Sequence, residues 1–176
     1  MEKLKNFYKN KKILITGATG FKGAWLCAWL LNLGAKVYAI GYNPNKNKTL
    51  FYSLNLSKKT NLKIFDIRDL KKLDDIVRKS RPQIVFHLAA QPLVIDSYKK
   101  PYLTFDINFR GTLNILEVAK KYKFIKSVIC VTSDKCYENV GKLTRYKETD
   151  MLGGIDPYSA SKSSAELLIR SYVESF

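Results

Sequence analysis

Arginine is scarce in a chain that is otherwise strongly basic. Of 31 basic residues only six are arginine (Arg68, Arg78, Arg81, Arg110, Arg145 and Arg170), against 15 acidic residues, for a net charge of +16. Proteins that read phosphates and base edges favour the planar guanidinium fork. The lysine pairs here, such as Lys11-Lys12, Lys71-Lys72 and Lys120-Lys121, are scattered along the chain. The balance reads as a solvated lysine-rich surface rather than a specific nucleic-acid face, and it leaves weak, salt-sensitive polyanion binding open. Cysteine is also rare. Cys27, Cys130 and Cys136 are odd in number and show no CxxC spacing, which argues against a zinc site or a disulfide framework and fits a reducing cytosol. Long hydrophobic runs are missing. The longest, Ala24 to Leu31, has eight residues, where a membrane helix needs ~18–20. The basic start, Met1 to Lys12, has no apolar signal core behind it. No repeat or low-complexity tract is present. The expectation is a cytoplasmic protein without a membrane partner or a metal, with one hydrophobic core in 176 residues that are 46% apolar.

What is present is a regular alternation. Short apolar runs at 12–16, 36–40, 62–66, 84–88 and 127–131 predict five buried strands. Between them, residues 20–33 predict a helix ended by Gly34. Asp69 predicts the cap of a second helix, with Leu70, Leu73, Ile76 and Val77 inward, broken by Pro82. Pro101 predicts the start of a long helix through Tyr122, with Ile107, Leu113, Leu116 and Ala119 inward. Residues 45–60 read as a loop with a short helical turn near Leu50 to Leu54. Residues 141–157 read as an irregular loop, and 158–176 as a helix. Strands alternating with helices imply α/β architecture: a doubly wound parallel sheet of the Rossmann type in the order 3-2-1-4-5.

Two short segments carry chemistry. Gly17-Ala18-Thr19-Gly20-Phe21-Lys22-Gly23 lies between the first strand and the first helix. Glycines three apart let the backbone turn tightly and approach a pyrophosphate, and the helix N-terminus offers N–H groups and partial positive charge. Dinucleotide binding follows from that placement. About 20 residues on, where an acidic residue usually holds the adenosine ribose, stands Asn43. Asn43 can bond a ribose hydroxyl, and Lys46 or Lys48 can meet a 2′-phosphate, so the residues leave NAD and NADP open. The second segment is Tyr158-Ser159-Ala160-Ser161-Lys162. Its tyrosine and lysine, four apart, share one helical face. A phenol is a poor base at neutral pH, and a neighbouring ammonium favours its ionised form. His87, the sole histidine, reads as a satisfied strand residue.

The glycine segment, extended to Thr16, resembles the TGxTGFxG of the extended short-chain dehydrogenase/reductase family, which includes nucleotide-sugar epimerases and dehydratases. Tyr158 and Lys162 resemble that family's YxxxK. Gly20 to Gly23, His87 to Val94, Ser133-Asp134-Lys135-Cys136-Tyr137 and Asp156 to Lys162 are similar to the family's 4,6-dehydratases, the CDP-glucose type in particular. The resemblance implies NAD as cofactor. It implies contacts from Gly17, Thr19, Gly20, Phe21, Lys22 and Gly23, and from Asn43. It places Asp66 and Ile67 near the adenine, although Arg68 reads equally as a surface partner and Asp69 as a cap. Leu88, Ala89 and Ala90 are the small-residue wall of the cofactor site, with Asn108 as the brace of the active-site strand. Thr132, Tyr158 and Lys162 complete the cofactor set.

Ser133, Asp134, Lys135, Tyr158 and Lys162 are the implied catalytic residues. Asp134 and Lys135 share the acid and base roles in an order left open. The implied activity is NAD-dependent internal redox dehydration of a nucleotide-activated hexose, CDP-glucose, to a 4-keto-6-deoxy sugar. A homodimer is an implied partner state. Residues 1–176 are expected to be one incomplete dinucleotide-binding domain, without the substrate domain of a family member roughly double the length. Another epimerase or dehydratase, or a catalytically silent binding module, stays open.

Overall fold

The computed structural model describes residues 1–45, 49–141 and 145–176. In chain order the elements are α1 (Glu2–Tyr8), β1 (Lys12–Thr16), α2 (Phe21–Asn32), β2 (Lys36–Gly41), α3 (Leu50–Ser53), α4 (Leu56–Lys59) and β3 (Asn61–Ile64). Then follow α5 (Leu70–Ser80), β4 (Ile84–His87), α6 (Val94–Lys99), α7 (Pro101–Phe105), a π-helical turn (Asp106–Arg110), α8 (Gly111–Lys121), β5 (Ser127–Cys130), a 3-10 turn (Asp134–Cys136) and α9 (Pro157–Ser175). Lys46 and Lys48, the expected partners of a 2′-phosphate, lie outside the described residues.

The central strand forms where the side chains are nearly all apolar. Ile13, Leu14 and Ile15 of β1 have no exposed surface, as a parallel strand covered on both faces requires. β1 pairs in parallel with β2, Lys12 opposite Lys36 through Thr16 opposite Ile40, and with β4, Ile13 opposite Ile84 through Thr16 opposite His87. β3 extends the sheet beyond β2, and β5 beyond β4. The order is β3-β2-β1-β4-β5, as the alternation predicts. The order reverses between β1 and β4, the position at which doubly wound sheets bind ligands beyond their strand ends.

By its internal contacts the chain divides into two compact units. The first is Met1–Ala89 with Val118–Cys130, and the second is Ala90–Glu117 with Val131–Phe176. The first contains the sheet. Its core joins Ile13 and Ile15 to Ala24, Cys27 and Leu30 of α2, and to Phe51 of α3. Each large aliphatic side chain buried there contributes about 1.5–3 kcal/mol. Burial pushes the Cys27 thiol up to about 12, so this cysteine packs as a hydrophobe. Past the end of α2, Gly34 N–H bonds Leu31 O and Ala35 N–H bonds Leu30 O, both at 3.0 Å, which satisfies carbonyls the helix would otherwise orphan. The Asp69 side chain caps α5 by accepting from Lys72 N at 3.0 Å. Leu73 and Val77 are buried there, whereas Leu70, expected inward, is 43% exposed, because it starts the helix on its outer side.

The long helix expected from Pro101 forms and is helical without a break to Lys121, but it carries a π turn within it, so that α7, the π turn and α8 follow one another. A π turn spends more residues on one revolution than an α turn and so rotates the helix that follows. The buried positions are Thr104, Asn108, Gly111, Thr112, Asn114, Ile115 and Val118, with Leu116 as expected, while Ile107, Leu113 and Ala119 are half-buried. α6 is a further helix that the sequence pattern does not announce. α9 begins at Pro157 with Asp156 as its cap.

Candidate functional site

In the first unit the glycine segment forms a tight bend against the end of β4. Gly17 has φ +67°, and a Cβ there would lie 2.6 Å from Leu88 C and 2.7 Å from Ala89 N. A Cβ on Gly23 would lie 2.2 Å from Gly17 O. Only bare backbone lets β4, the bend and α2 approach so closely. Ala18 N–H donates to Ile40 O, Gly20 N–H to Gly17 O and Ala24 N–H to Gly20 O, at 2.9–3.0 Å. α2 then opens on Phe21, Lys22 and Gly23 with no side-chain cap, so its first-turn amides keep the outward direction that suits an anion. Phe21 is exposed and Thr19 is buried. Thr19 stands against Gly41 at the end of β2, whose Cβ would lie 2.5 Å from Thr19 Cγ2. This cradle, which side chains would fill, fits a pyrophosphate.

Other expected residues of this unit fall around the strand ends. Asn43 is exposed with φ +33° just beyond β2. Asp66 accepts from Arg68 N–H and Nε–H at 2.9 Å each, and Arg68 Nη2 reaches its other oxygen at 2.5 Å. The reading of that stretch as a charge pair and a helix cap is the one these contacts show, since Asp66 is forked by Arg68 and Asp69 caps α5, while Ile67 is buried. His87 is 3% exposed, with Nδ1 2.7 Å from Thr16 Oγ1. Thr16 Oγ1 also accepts from Ala89 N–H at 3.1 Å. His87 is thus the satisfied strand residue that its placement predicts.

The second unit gathers the other set. Tyr158 and Lys162 are buried on α9, and Lys162 Nζ donates to Val131 O at 3.2 Å. Behind Tyr158 a polar network holds the helix. Ser161 Oγ donates to Tyr158 O at 2.7 Å and accepts from Asn108 Nδ2 at 2.8 Å. Asn108, in the π turn, also accepts from Gln91 N–H at 2.8 Å and donates to Gln91 O at 3.2 Å. Gln91 Nε2 donates to Thr104 Oγ1 at 3.0 Å. Ala90 begins this stretch. Thr132 Oγ1 donates to Glu166 Oε1. Ser133 caps the following 3-10 turn, accepting from Lys135 N–H and donating to Asp134 Oδ1, both at 3.2 Å. Asp134 and Lys135 are exposed.

Lys135 also contributes to the field at Asp156. There burial raises the carboxyl pKa, but hydrogen bonds from Ser159 and the Tyr158 amide, with the Lys135 charge, outweigh it and hold the group below the ordinary carboxylate range. The structure therefore brings Ser133, Asp134 and Lys135 to one turn and Tyr158 and Lys162 to one helix face. The sequence pattern does not reveal Gln91, Ser161 or Glu166. For Glu166 the four-residue step 158–162–166 was the available signal; for Gln91 there was none. Asp156-Pro157 carries a legible cap signature, an acceptor followed by proline at the first helical position.

Among the described residues no cluster suits a metal ion, and no helix is long and apolar enough to cross a membrane. The chain is 43% identical over 172 residues to the CDP-glucose 4,6-dehydratase of Salmonella typhimurium, covering 98% of this chain and 48% of that protein. It is 33% identical to the dTDP-D-glucose 4,6-dehydratase of Dictyostelium discoideum, covering 94% and 41%. It thus spans about half the length of the curated relatives it matches. Among solved structures, the Thermus thermophilus UDP-glucose 4-epimerase in complex with NAD superposes with a TM-score of 0.80 at 32% identity, over 94% of this chain and 51% of that one. The Thermotoga maritima UDP-glucose 4-epimerase with UDP-glucose gives 0.82 at 28%, over 94% and 52%. A family model described as GDP-mannose 4,6 dehydratase matches residues 14–176, from β1 through the glycine bend, the 133–135 turn and all of α9, and the chain belongs to that family.

Proposed function

We propose that residues 1–176 form the dinucleotide-binding domain of a nucleotide-sugar 4,6-dehydratase that uses NAD and takes CDP-glucose. Identity of 43% to a CDP-glucose 4,6-dehydratase over nearly the whole chain carries the substrate reading. The glycine cradle supports the cofactor reading, with Gly17, Gly20 and Gly23 yielding space and the first amides of α2 facing the diphosphate. Thr19, Phe21, Lys22, Asn43, Asp66 and Ile67 are assigned to the same cofactor, as are Leu88, Ala89, Ala90, Asn108 and Thr132. NAD, when bound, supplies the acceptor and donor of hydride that an internal redox dehydration needs.

The chain's own groups move the protons. Tyr158 Oη takes the proton of the sugar C4 hydroxyl as that carbon is oxidised, and Lys162, four residues on, lies on the same helix face. The C4 ketone acidifies the C5 proton. Asp134 and Lys135 act as the acid and base pair: one removes the C5 proton and the other protonates the C6 hydroxyl, which leaves as water. Ser133 orders that pair from the turn's cap. The reading includes a cytoplasmic location, consistent with the free cysteines. It includes a homodimer, for which Tyr102, Phe105 and Phe109 expose an aromatic face on the second unit. A specific nucleic acid is not among its partners.

Purified protein supplied with NAD and CDP-glucose is expected to form a 4-keto-6-deoxy sugar, read by NMR. Tyr158→Phe is expected to lower turnover by about 100-fold or more while NAD still binds by calorimetry. Unchanged turnover removes the role given to Tyr158. Absence of heat with both NAD and NADP removes the cofactor reading. NAD binding without product favours a binding module that does not turn over.

A further inference from the structure

α9 places Tyr158, Lys162 and Glu166 at steps of four residues, along one face of the helix. The first two belong to the proposed chemistry, and the third has no part in it. Yet Glu166 and Lys162 act on adjacent residues. Lys162 Nζ donates to Val131 O at 3.2 Å, and Glu166 Oε1 accepts from the Thr132 hydroxyl. Two consecutive residues beyond β5 are therefore fastened to α9 by two side chains one helical turn apart.

Past Thr132 the chain bends at once. Cys136 N–H donates to Ser133 O at 3.1 Å and Tyr137 N–H to Asp134 O at 3.2 Å. It then returns along residues 151–153, with Gly153 N–H on Cys136 O and Glu138 N–H on Met151 O, both at 2.9 Å. Asp134 and Lys135 project from this bend into solvent, so their own packing cannot fix them. The anchors are the clamp before the bend and the pairing after it. The Glu166 carboxylate also reaches inward: after burial, its charge is the next cause that raises the Cys136 thiol pKa.

We propose that Glu166 is a positioning residue for the Ser133-Asp134-Lys135 turn, acting through the Thr132 hydroxyl. What the turn does rests on the dehydratase reading; the clamp itself does not. A charge-assisted hydrogen bond is among the stronger local restraints available, and here it sits one residue before the turn that carries the acid and base.

Amide hydrogen exchange on the 176-residue chain tests this. Thr132→Val and Glu166→Ala are each expected to speed exchange at Lys135, Cys136 and Tyr137 by about tenfold or more. The double variant is expected to go no further than either single, because both remove the same bond. Thr132→Ser and Glu166→Gln keep a donor and an acceptor and are expected to hold protection within about threefold of wild type. Wild-type protection in both disruptive variants overturns the proposal. So does loss in Glu166→Gln equal to that in Glu166→Ala, and so does loss spread evenly through α9. NAD titration of the same wild-type sample separates the two ideas. No binding removes the dehydratase reading and leaves the clamp, whereas unchanged exchange removes the clamp and leaves the dehydratase reading.

Discussion

Asn108 is 1% exposed, and its amide serves three partners: Gln91 N–H, Gln91 O and Ser161 Oγ. Ser161 in turn holds the Tyr158 carbonyl. Asn108→Ala leaves those groups without their partner and opens a cavity, an expected cost of about 2–4 kcal/mol. Urea unfolding with an unchanged m-value checks it, and a loss below about 0.5 kcal/mol shows that water or relaxation replaces the amide. This residue also marks how far the site could be read in advance. Tyr158 and Lys162 are legible because their chemistry lies in the residue types and their meeting lies in a four-residue step. Asn108 carries no such local sign, and only the family resemblance points to it. Gln91 stays hidden because its partner Asn108 is 17 positions away; Glu166 stands in step with Tyr158 and Lys162, but its partner Thr132, 34 positions away, is one that no local pattern names. The Asp66–Arg68 fork, by contrast, closes within two residues and was visible as one of two readings.

Elements were legible in proportion to how fully burial dictated their composition. β1, β2 and β4 match their apolar runs to within a residue or so, because a strand covered on both faces admits little else. β3 begins and ends earlier than its run suggests, and at the sheet edge it is less constrained. The π turn left no trace in the sequence, since nothing in Asp106–Arg110 prevents an ordinary helix. What favours the wider turn is tertiary: Asn108 is buried and bonded to Gln91 and Ser161, with a local bond from Thr112 Oγ1 to Asn108 O at 2.7 Å beside it. The start of α9 is the opposite case, fixed locally by Asp156. Its carboxylate accepts from Ser159 N–H at 2.9 Å and Ser159 Oγ–H at 2.6 Å. Because the folded group titrates below its unfolded value, its stabilisation is present above the unfolded pKa of about 3.9 and is lost as pH falls through the lower, folded one. Asp156→Asn removes the charge and keeps the shape. It is expected to cost about 1 kcal/mol at pH 7, with the difference from wild type closing below about pH 4. Urea unfolding at several pH values reads this, and a cost that persists unchanged in acid would place the effect outside the carboxylate.

Across the whole molecule the charge balance sets two opposing responses to salt. Attraction comes from pairs such as Asp66–Arg68, Asp69–Lys72, Asp75–Arg78, Asp106–Arg110 and Asp74–Lys121. Most have at least one partner largely in solvent, where a pair is worth about 0–1 kcal/mol and is screened. Repulsion comes from the surplus. Fifteen acidic residues cannot neutralise 31 basic ones, and the remaining +16 leaves like charges side by side, as at Lys58 and Lys59 or Lys99 and Lys100. Raising ionic strength to about 0.15 M shortens the screening length to about 8 Å, weakening both. The surplus outnumbers the pairs, so the net effect favours the compact state. Added sodium chloride is therefore expected to raise Tm by a few degrees, the scale of about 1 kcal/mol. The same salt is expected to release any bound polyanion, because scattered lysines give only non-specific attraction. Scanning calorimetry across a salt series decides the first point: a falling Tm would mean that the ion pairs, not the surplus of positive charge, govern the electrostatics of the fold. Nucleic acid retained undiminished through that series would give the basic surface a specific partner that its composition does not predict.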